Sequence, residues 1–107
     1  MMPNTSLLDI ATASNAFLHG ADGLVSSVGI DTRAIIPGGL FVALRGEHVD
    51  GHEFLSEAKN AGAVGAVVET LQAIDIPQIV VADAAVALGD IASYNRSLFK
   101  GAVVAIT

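Results

Sequence analysis

Short, uninterrupted apolar runs closed by turn residues are the feature that most limits how this chain can fold. The clearest is Leu-Phe-Val-Ala-Leu at 40–44, which directly follows the turn sequence Pro37-Gly38-Gly39. Apolar runs of this length between turn signals are typical of buried strands, because proline and glycine supply the backbone angles that turns need. Comparable runs predict strands at 25–30, 64–68, 79–81 and 102–106, and a short strand or turn at 17–23.

Segments with helical spacing lie between these runs. Ser6 precedes apolar residues spaced three and four apart, which predicts a short helix capped by that serine. A second helix is predicted over 52–61, where Asp50 and Glu53 have capping-box spacing, and a third after Asp83. Strands that alternate with helices predict an α/β or α+β arrangement, in the form of a single-layer mixed sheet with helices packed on it.

Composition and charge exclude several classes of protein. The chain has 107 residues, which is the size of one domain. With 52% hydrophobic and 15% charged residues it is not a disordered tail, and no apolar run reaches the roughly 18 residues of a membrane span. The formal net charge of −6 and the scattered basic residues argue against a nucleic-acid partner. The absence of cysteine excludes disulfides and thiolate chemistry.

Polar motifs follow two of the predicted strands. Asp31-Thr32-Arg33 comes after the first, and the run 40–44 continues into Arg-Gly-Glu-His-Val-Asp-Gly-His-Glu-Phe. This pattern resembles the signature of the amino-terminal domains of the Mur ligase family, and the segments 58–68 and 76–81 match it too. The resemblance extends from about Val28 to Thr107. The Asp-Thr-Arg form and the Gly-His-Glu-Phe ending are more similar to the MurF branch of the family than to the MurE branch.

The resemblance implies a bacterial, cytoplasmic ligase of peptidoglycan synthesis. A ligase of the MurF type joins D-alanyl-D-alanine to UDP-N-acetylmuramoyl-tripeptide through an acyl phosphate, using ATP and Mg²⁺. Residues 1–107 would be its UDP-substrate-binding domain, with a central ATP-binding domain and a carboxy-terminal domain as partners. The run 102–106 is similar to the strand that leads into a Gly-x-x-Gly-Lys-Thr loop in the family. We therefore expect this chain to stop just before that loop, to hold no cofactor and to catalyse nothing alone.

Six residues are predicted to bind the UDP part of the substrate. Hydroxyl groups at strand ends and backbone amides in a loop can bind anions without a large positive charge, and a guanidinium matches phosphate geometry. By the resemblance, Thr32 and the loop at 46–49 are where the UDP part lies. The predicted substrate-binding residues are Thr32, Arg33, Gly46, Glu47, His48 and Val49.

Each of these assignments has a structural alternative. Thr32 could cap a local turn, Arg33 could tie Asp31 or another carboxylate to the domain, and Gly46 could serve only a turn. Glu47 departs from the residue types of the MurE pattern, which leaves the uracil contact open.

Other chemistry has weaker support in the sequence. His48 and His52 are four residues apart, but a catalytic zinc usually has three protein ligands, so we expect no metal and a structural role for His52. The chain contains no Gly-x-Ser-x-Gly elbow and no set of acid, base and nucleophile, so no catalytic residue is predicted. The rival interpretations are the amino-terminal domain of a MurE-type ligase, a stand-alone binding module, and a small independent enzyme.

Overall fold

The computed structural model describes residues 5–44 and 50–94, and within them five short strands form one mixed sheet. The order across the sheet is β1-β5-β4-β3-β2, in which β2 to β5 run parallel and β1 pairs antiparallel with β5. The predicted mixed sheet is confirmed, and the predicted run 102–106 lies outside the described residues. The strands are β1 (Phe17–His19), β2 (Ser27–Gly29), β3 (Gly39–Val42), β4 (Gly65–Val68) and β5 (Gln78–Val80).

In the part of the chain that the structure describes, three α-helices pack on the sheet: α1 (Leu7–Ala13), α2 (Leu55–Asn60) and α3 (Ala84–Tyr94). The predicted cap of α1 is confirmed, because the Ser6 hydroxyl accepts the Asp9 N–H in a complete capping box. None of the helices in the described residues is long and apolar enough to cross a membrane.

The helix predicted over 52–61 begins differently from the prediction. Residues Gly51–Phe54 form a 3₁₀ turn, and α-helical geometry starts only at Leu55. Asp50 is the cap, as predicted, but its carboxylate accepts the N–H of His52, two residues on. The Glu53 N–H instead donates to the backbone carbonyl of Asp50. A cap whose side chain accepts the N–H only two residues on favours the tighter 3₁₀ turn.

Both faces of the sheet are buried, which explains why its strands read as continuous apolar runs. Side chains alternate along each strand between two cores. One core contains Leu40, Val42, Val67 and Ile79 together with residues of α1 and α3. The other contains Phe41, Ala43, Ala66 and Val68 together with residues of α2.

The connection between β4 and β5 is organised by a buried glutamine rather than by a helix. Gln78 is 2% exposed, and its side-chain carbonyl accepts the Gln72 N–H at 2.8 Å. Its NH₂ group donates to the carbonyls of Gln72 at 3.0 Å and Ile74 at 3.2 Å. These bonds satisfy a polar group that would be costly to bury alone, and they fix the course of the loop.

Candidate functional site

A cleft opens at the carboxyl ends of the parallel strands β2 and β3. Ligands of open α/β sheets bind at this edge, because loops there leave a crevice beyond the strand ends. The cleft has a volume of about 460 Å³. It is lined by residues that follow β2 and β3 and by the start of the α2 region: Ile30, Asp31, Thr32, Arg33, Phe41, Leu44, Gly51, Phe54 and Glu57.

The turn after β2 holds Arg33 by its neighbour Asp31. The Asp31 carboxylate accepts the backbone N–H of Arg33 at 2.9 Å, and it also accepts Nε–H and Nη2–H of the guanidinium, the latter at 2.8 Å. The hydrogen bonds from Arg33 lower the pKa of Asp31 from its ordinary 3.8 to about 2, and the side-chain bonds have a larger effect than the backbone bond. The structure therefore shows the alternative in which Arg33 pairs with Asp31.

Arg33 keeps donors for a further partner. A guanidinium has five N–H groups, and Asp31 takes Nε–H and one N–H of Nη2. The described residues offer no acceptor to the remaining three. The Arg33 side chain is 89% exposed, so an anion can reach these donors without displacing Asp31.

Thr32 lies half-buried in the cleft as the first residue of a 3₁₀ turn, Thr32–Ala34. The cap of this turn is Asp31, and the Thr32 carbonyl accepts the Ile35 N–H. Within the described residues the Thr32 hydroxyl makes no hydrogen bond, so the alternative in which this hydroxyl caps the turn does not hold there. Thr32 is one of the residues that line the cleft.

The turn after β3 brings Gly51 against the strand end. Its N–H donates to the Leu44 carbonyl at 2.7 Å, and a Cβ atom built on Gly51 would lie 2.8 Å from the Leu44 N and O atoms. Real Cβ atoms essentially never come so close to backbone. Glycine is therefore required here for close backbone approach.

His52 is buried beside this turn, with its side chain 5% exposed. Its Nε2 accepts the Glu69 N–H at 2.9 Å, which requires Nε2 to carry no proton. Nδ1 is then the protonated nitrogen, and it donates to the Asp50 carboxylate at 2.6 Å. Both ring nitrogens are engaged within the protein, and the predicted structural role of His52 is confirmed.

Four of the six predicted substrate-binding residues, Gly46, Glu47, His48 and Val49, lie outside the described residues, and their assignments stay predictions. Leu44, which precedes that segment, and Gly51, which follows it, both line the cleft. The described residues contain no group of three or more His, Cys, Asp or Glu side chains that could hold a metal ion.

The apolar part of the cleft was not predicted from the sequence. Ile30, Leu44 and Phe54 line it beside the polar residues, and Ile30 is 37% exposed. These residues look like ordinary core positions in the sequence. Their one signal is position, because Ile30 and Leu44 lie within two residues of strand ends that precede the polar motifs.

Comparisons with known proteins agree with this architecture. A family model described as Mur ligase family, catalytic domain, matches residues 24–96. The chain is 40% identical over 106 residues to UDP-N-acetylmuramoyl-tripeptide--D-alanyl-D-alanine ligase of Escherichia coli strain K12, covering 99% of this chain and 24% of that protein. It is 36% identical over 115 residues to UDP-N-acetylmuramoyl-L-alanyl-D-glutamate--2,6-diaminopimelate ligase of Chlorobaculum tepidum, covering 98% of this chain and 23% of that protein.

A solved structure shows the same fold. A crystal structure of MurF from Acinetobacter baumannii superposes with a TM-score of 0.73 at 27% identity, over 87% of this chain and 21% of that chain. The predicted likeness to MurF is confirmed by this structure and by the Escherichia coli relative. The chain spans about a quarter of the length of the curated relatives it matches.

Proposed function

The chain belongs to the Mur ligase family, and from that premise we propose that it binds the UDP-N-acetylmuramoyl part of the substrate of a MurF-type ligase. The ligase would act in the cytoplasm and add D-alanyl-D-alanine to a UDP-N-acetylmuramoyl-tripeptide, at the expense of ATP. The observation that carries the proposal is the cleft at the carboxyl ends of β2 and β3, where Thr32 and Arg33 have donors that no described residue uses, beside an apolar wall.

The cleft has the chemistry that a uridine diphosphate needs. The pyrophosphate accepts hydrogen bonds, and the Thr32 hydroxyl and the three remaining N–H groups of Arg33 can donate them. Uracil is a flat ring with polar edges, and the apolar side chains of Ile30, Leu44 and Phe54 offer a surface for its face.

The charges that the described residues place around the cleft favour binding by hydrogen bonds rather than by a positive field. Glu57 also lines the cleft, the charge of Arg33 is paired with Asp31, and the formal net charge is −6. A basic cleft would raise the association rate of an anion and make it depend on salt. We therefore expect UDP-sugar binding by this chain to depend only weakly on ionic strength.

The names of two relatives support the proposal that this domain binds the part that their substrates share. Both the Escherichia coli and the Chlorobaculum tepidum proteins are ligases of UDP-N-acetylmuramoyl compounds, and their substrates differ in the peptide. A domain common to both is expected to recognise what the substrates have in common. The MurE-type alternative thus keeps the same cleft, and comparing UDP-N-acetylmuramoyl-tripeptide with UDP-N-acetylmuramoyl-L-alanyl-D-glutamate as ligands of the full-length protein distinguishes the two.

The proposal assigns no ATP or Mg²⁺ site to this domain. The sequence contains no Gly-x-x-Gly-Lys-Thr loop to hold the phosphates of ATP, and the described residues contain no cluster of metal-binding side chains. In the described part of the cleft, Asp31 is tied to Arg33 and no nucleophile faces a base. The role we propose is recognition, in which binding of the remote UDP end positions the reacting peptide end.

The test is a two-dimensional NMR titration of this chain with UDP-N-acetylmuramic acid and, separately, with ATP. Shifts that cluster at Ile30–Arg33, Gly51 and Phe54 with the UDP-sugar alone support the proposal. Thr32→Val and Arg33→Gln are each expected to weaken binding about tenfold, the loss of one or two hydrogen bonds to a charged group.

Matched controls separate these effects from general ones. Thr12→Val removes a hydroxyl that bonds the Leu8 carbonyl on α1, which packs on the other face of the sheet from α2. Lys59→Gln removes one positive charge outside the cleft lining. Neither control should change the affinity by more than twofold. Equal losses in the controls, or no shifts with the UDP-sugar, would contradict the proposal.

A further inference from the structure

We propose that His52 is a positioning residue for the cleft: its two ring bonds hold the Asp50–Phe54 turn on the carboxyl end of β4 and so place one wall of the ligand site. The inference depends on the proposed function only for the identity of the ligand. The placement of the wall is a property of the unliganded chain.

The first support is that the two ring bonds join different parts of the chain. Nδ1 bonds the Asp50 carboxylate within the turn, whereas Nε2 bonds the N–H of Glu69, seventeen residues along the chain, directly after β4. The ring therefore connects a turn that follows β3 to the end of the neighbouring strand. A planar ring fixed at both nitrogens has one orientation, and the turn that carries it is held in the same way.

The second support is what the turn contributes to the cleft. Gly51 and Phe54, on either side of His52 in the chain, both line it. The Gly51 N–H reaches back to the Leu44 carbonyl, so the turn is joined to both β3 and β4. Loss of either ring bond frees the turn to shift, and a misplacement of about 1 Å in a positioning element can cost two orders of magnitude in function.

The network extends beyond the cleft to α3. The carboxylate of Glu69, whose N–H meets His52, accepts the Ala84 N–H at the start of α3 through Oε2 at 2.8 Å. The wall of the cleft and the amino end of α3 are thus linked through one residue. A ligand that contacts the wall is expected to perturb the Ala84 amide through this network, although Ala84 does not line the cleft.

Two substitutions separate the two ring bonds. The NH₂ group of asparagine in His52→Asn can replace Nδ1–H towards Asp50 but cannot accept from Glu69. The carbonyl of glutamine in His52→Gln can replace Nε2 as acceptor but cannot reach Asp50 as donor. The controls are Ile10→Val and Ile10→Ala, which remove apolar atoms from the core beneath α1 on the other face of the sheet. Together they provide a range of Tm with which the His52 variants can be matched.

The first measurement uses no ligand. Amide hydrogen exchange of Gly51 is expected to be at least about tenfold faster in each His52 variant than in the Ile10 variant of matched Tm, because the turn opens locally. The second is the Kd for UDP-N-acetylmuramic acid in fully folded samples, expected to rise about tenfold in the His52 variants and less than twofold in the Ile10 controls.

The results decide between positioning and mere stabilisation. If Gly51 exchange and Kd in the His52 variants match those of the equally destabilised Ile10 variant, the proposal is wrong. If the unchanged protein does not bind the UDP-sugar, the proposed function fails, whereas the exchange comparison still decides the role of His52.

A measurement on the unchanged protein covers the case in which the variants do not fold. The His52 Nδ1–H resonance and the Glu69 and Ala84 amides should shift during the UDP-N-acetylmuramic acid titration with the same midpoint as Thr32, and should not shift with ATP. If they stay fixed while Thr32 moves, the wall is not coupled to the ligand and the proposal is overturned.

Discussion

The turns after β2 and β3 share the same local hydrogen-bond pattern but differ in how exposed their basic side chain is. Each begins with an aspartate in extended geometry, Asp31 at φ −121 and ψ 123 and Asp50 at φ −108 and ψ 115. Each aspartate accepts the N–H two residues on and also bonds the basic side chain of that same residue. In one turn that side chain is Arg33, 89% exposed, and in the other it is His52, 5% exposed.

Burial accounts for the difference between the two turns. Beside the exposed pair, water competes for every hydrogen bond, so the pair adds little stability but leaves Arg33 free to bind a ligand. In the other turn the His52 ring is buried, although Asp50 is 38% exposed, so a ring nitrogen that loses its partner has little water to replace it and the loss is costly. Under the proposed function, the exposed turn would contact the ligand and the buried turn would hold the cleft wall in place.

The largest contrast is expected at the middle residue of each turn. Gly51→Ala places a Cβ atom 2.8 Å from the Leu44 backbone, and we expect a loss of about 3 kcal/mol in the free energy of unfolding, since backbone must move. Thr32→Ala, at the equivalent position of the exposed turn, should change it by less than about 0.5 kcal/mol. Urea denaturation measures both, and similar losses at the two positions would remove the distinction between the turns.

A smaller contrast is expected at the basic residues. His52→Ala leaves the Glu69 N–H without its side-chain acceptor, which should lower the free energy of unfolding by about 2 kcal/mol. Arg33→Ala should produce no change that exceeds the error of the same denaturation experiment, because its pair with Asp31 is exposed. A loss for Arg33→Ala as large as that for His52→Ala would show that the first turn is also structural.

The smallest effect is the acid titration of the exposed pair. Because the folded pKa of Asp31 is lowered to about 2 from 3.8, its contribution to stability is complete above 3.8 and is lost as the pH falls through about 2. Carboxyl ¹³C NMR should follow this titration directly. In Arg33→Gln the pKa of Asp31 should rise towards 3.8, since the guanidinium bond is the largest cause of the shift. An unchanged pKa would mean that the backbone N–H dominates.

Local signals in the sequence predicted much of the fold. Ser6 and Asp83 cap helices as their residue types indicated, and the continuous apolar run at 40–44 marked a strand buried on both faces. The prediction was wrong at the start of the 52–61 helix, because which N–H an aspartate accepts depends on how the turn packs. The antiparallel pairing of β1 with β5 and the burial of Gln78 depend on distant partners, and no local pattern contains them.

The candidate site was predicted only in part. Thr32 and Arg33 follow a strand and lie in the cleft as their position suggested. The connection from His52 to Glu69 spans seventeen residues, and it exists only because β3 and β4 are neighbours in the sheet. The sequence therefore indicated the polar residues after the strands, whereas the network that holds the cleft wall required the sheet topology.

The pairing of β1 with β5 has a consequence for how the chain is made. Phe17–His19 leave the ribosome before β2, β3 and β4, and their partner strand Gln78–Val80 follows only after all three. Domains form during synthesis as their contacts become available, and contacts between distant segments slow folding. A nascent chain ending before Gln78 thus lacks the partner of its first strand. Closure of this edge of the sheet is expected to be a late step, detectable as late protection of the Phe17 and His19 amides in pulse-labelled hydrogen exchange, since hydrogen-bonded pairs alternate along an antiparallel ladder.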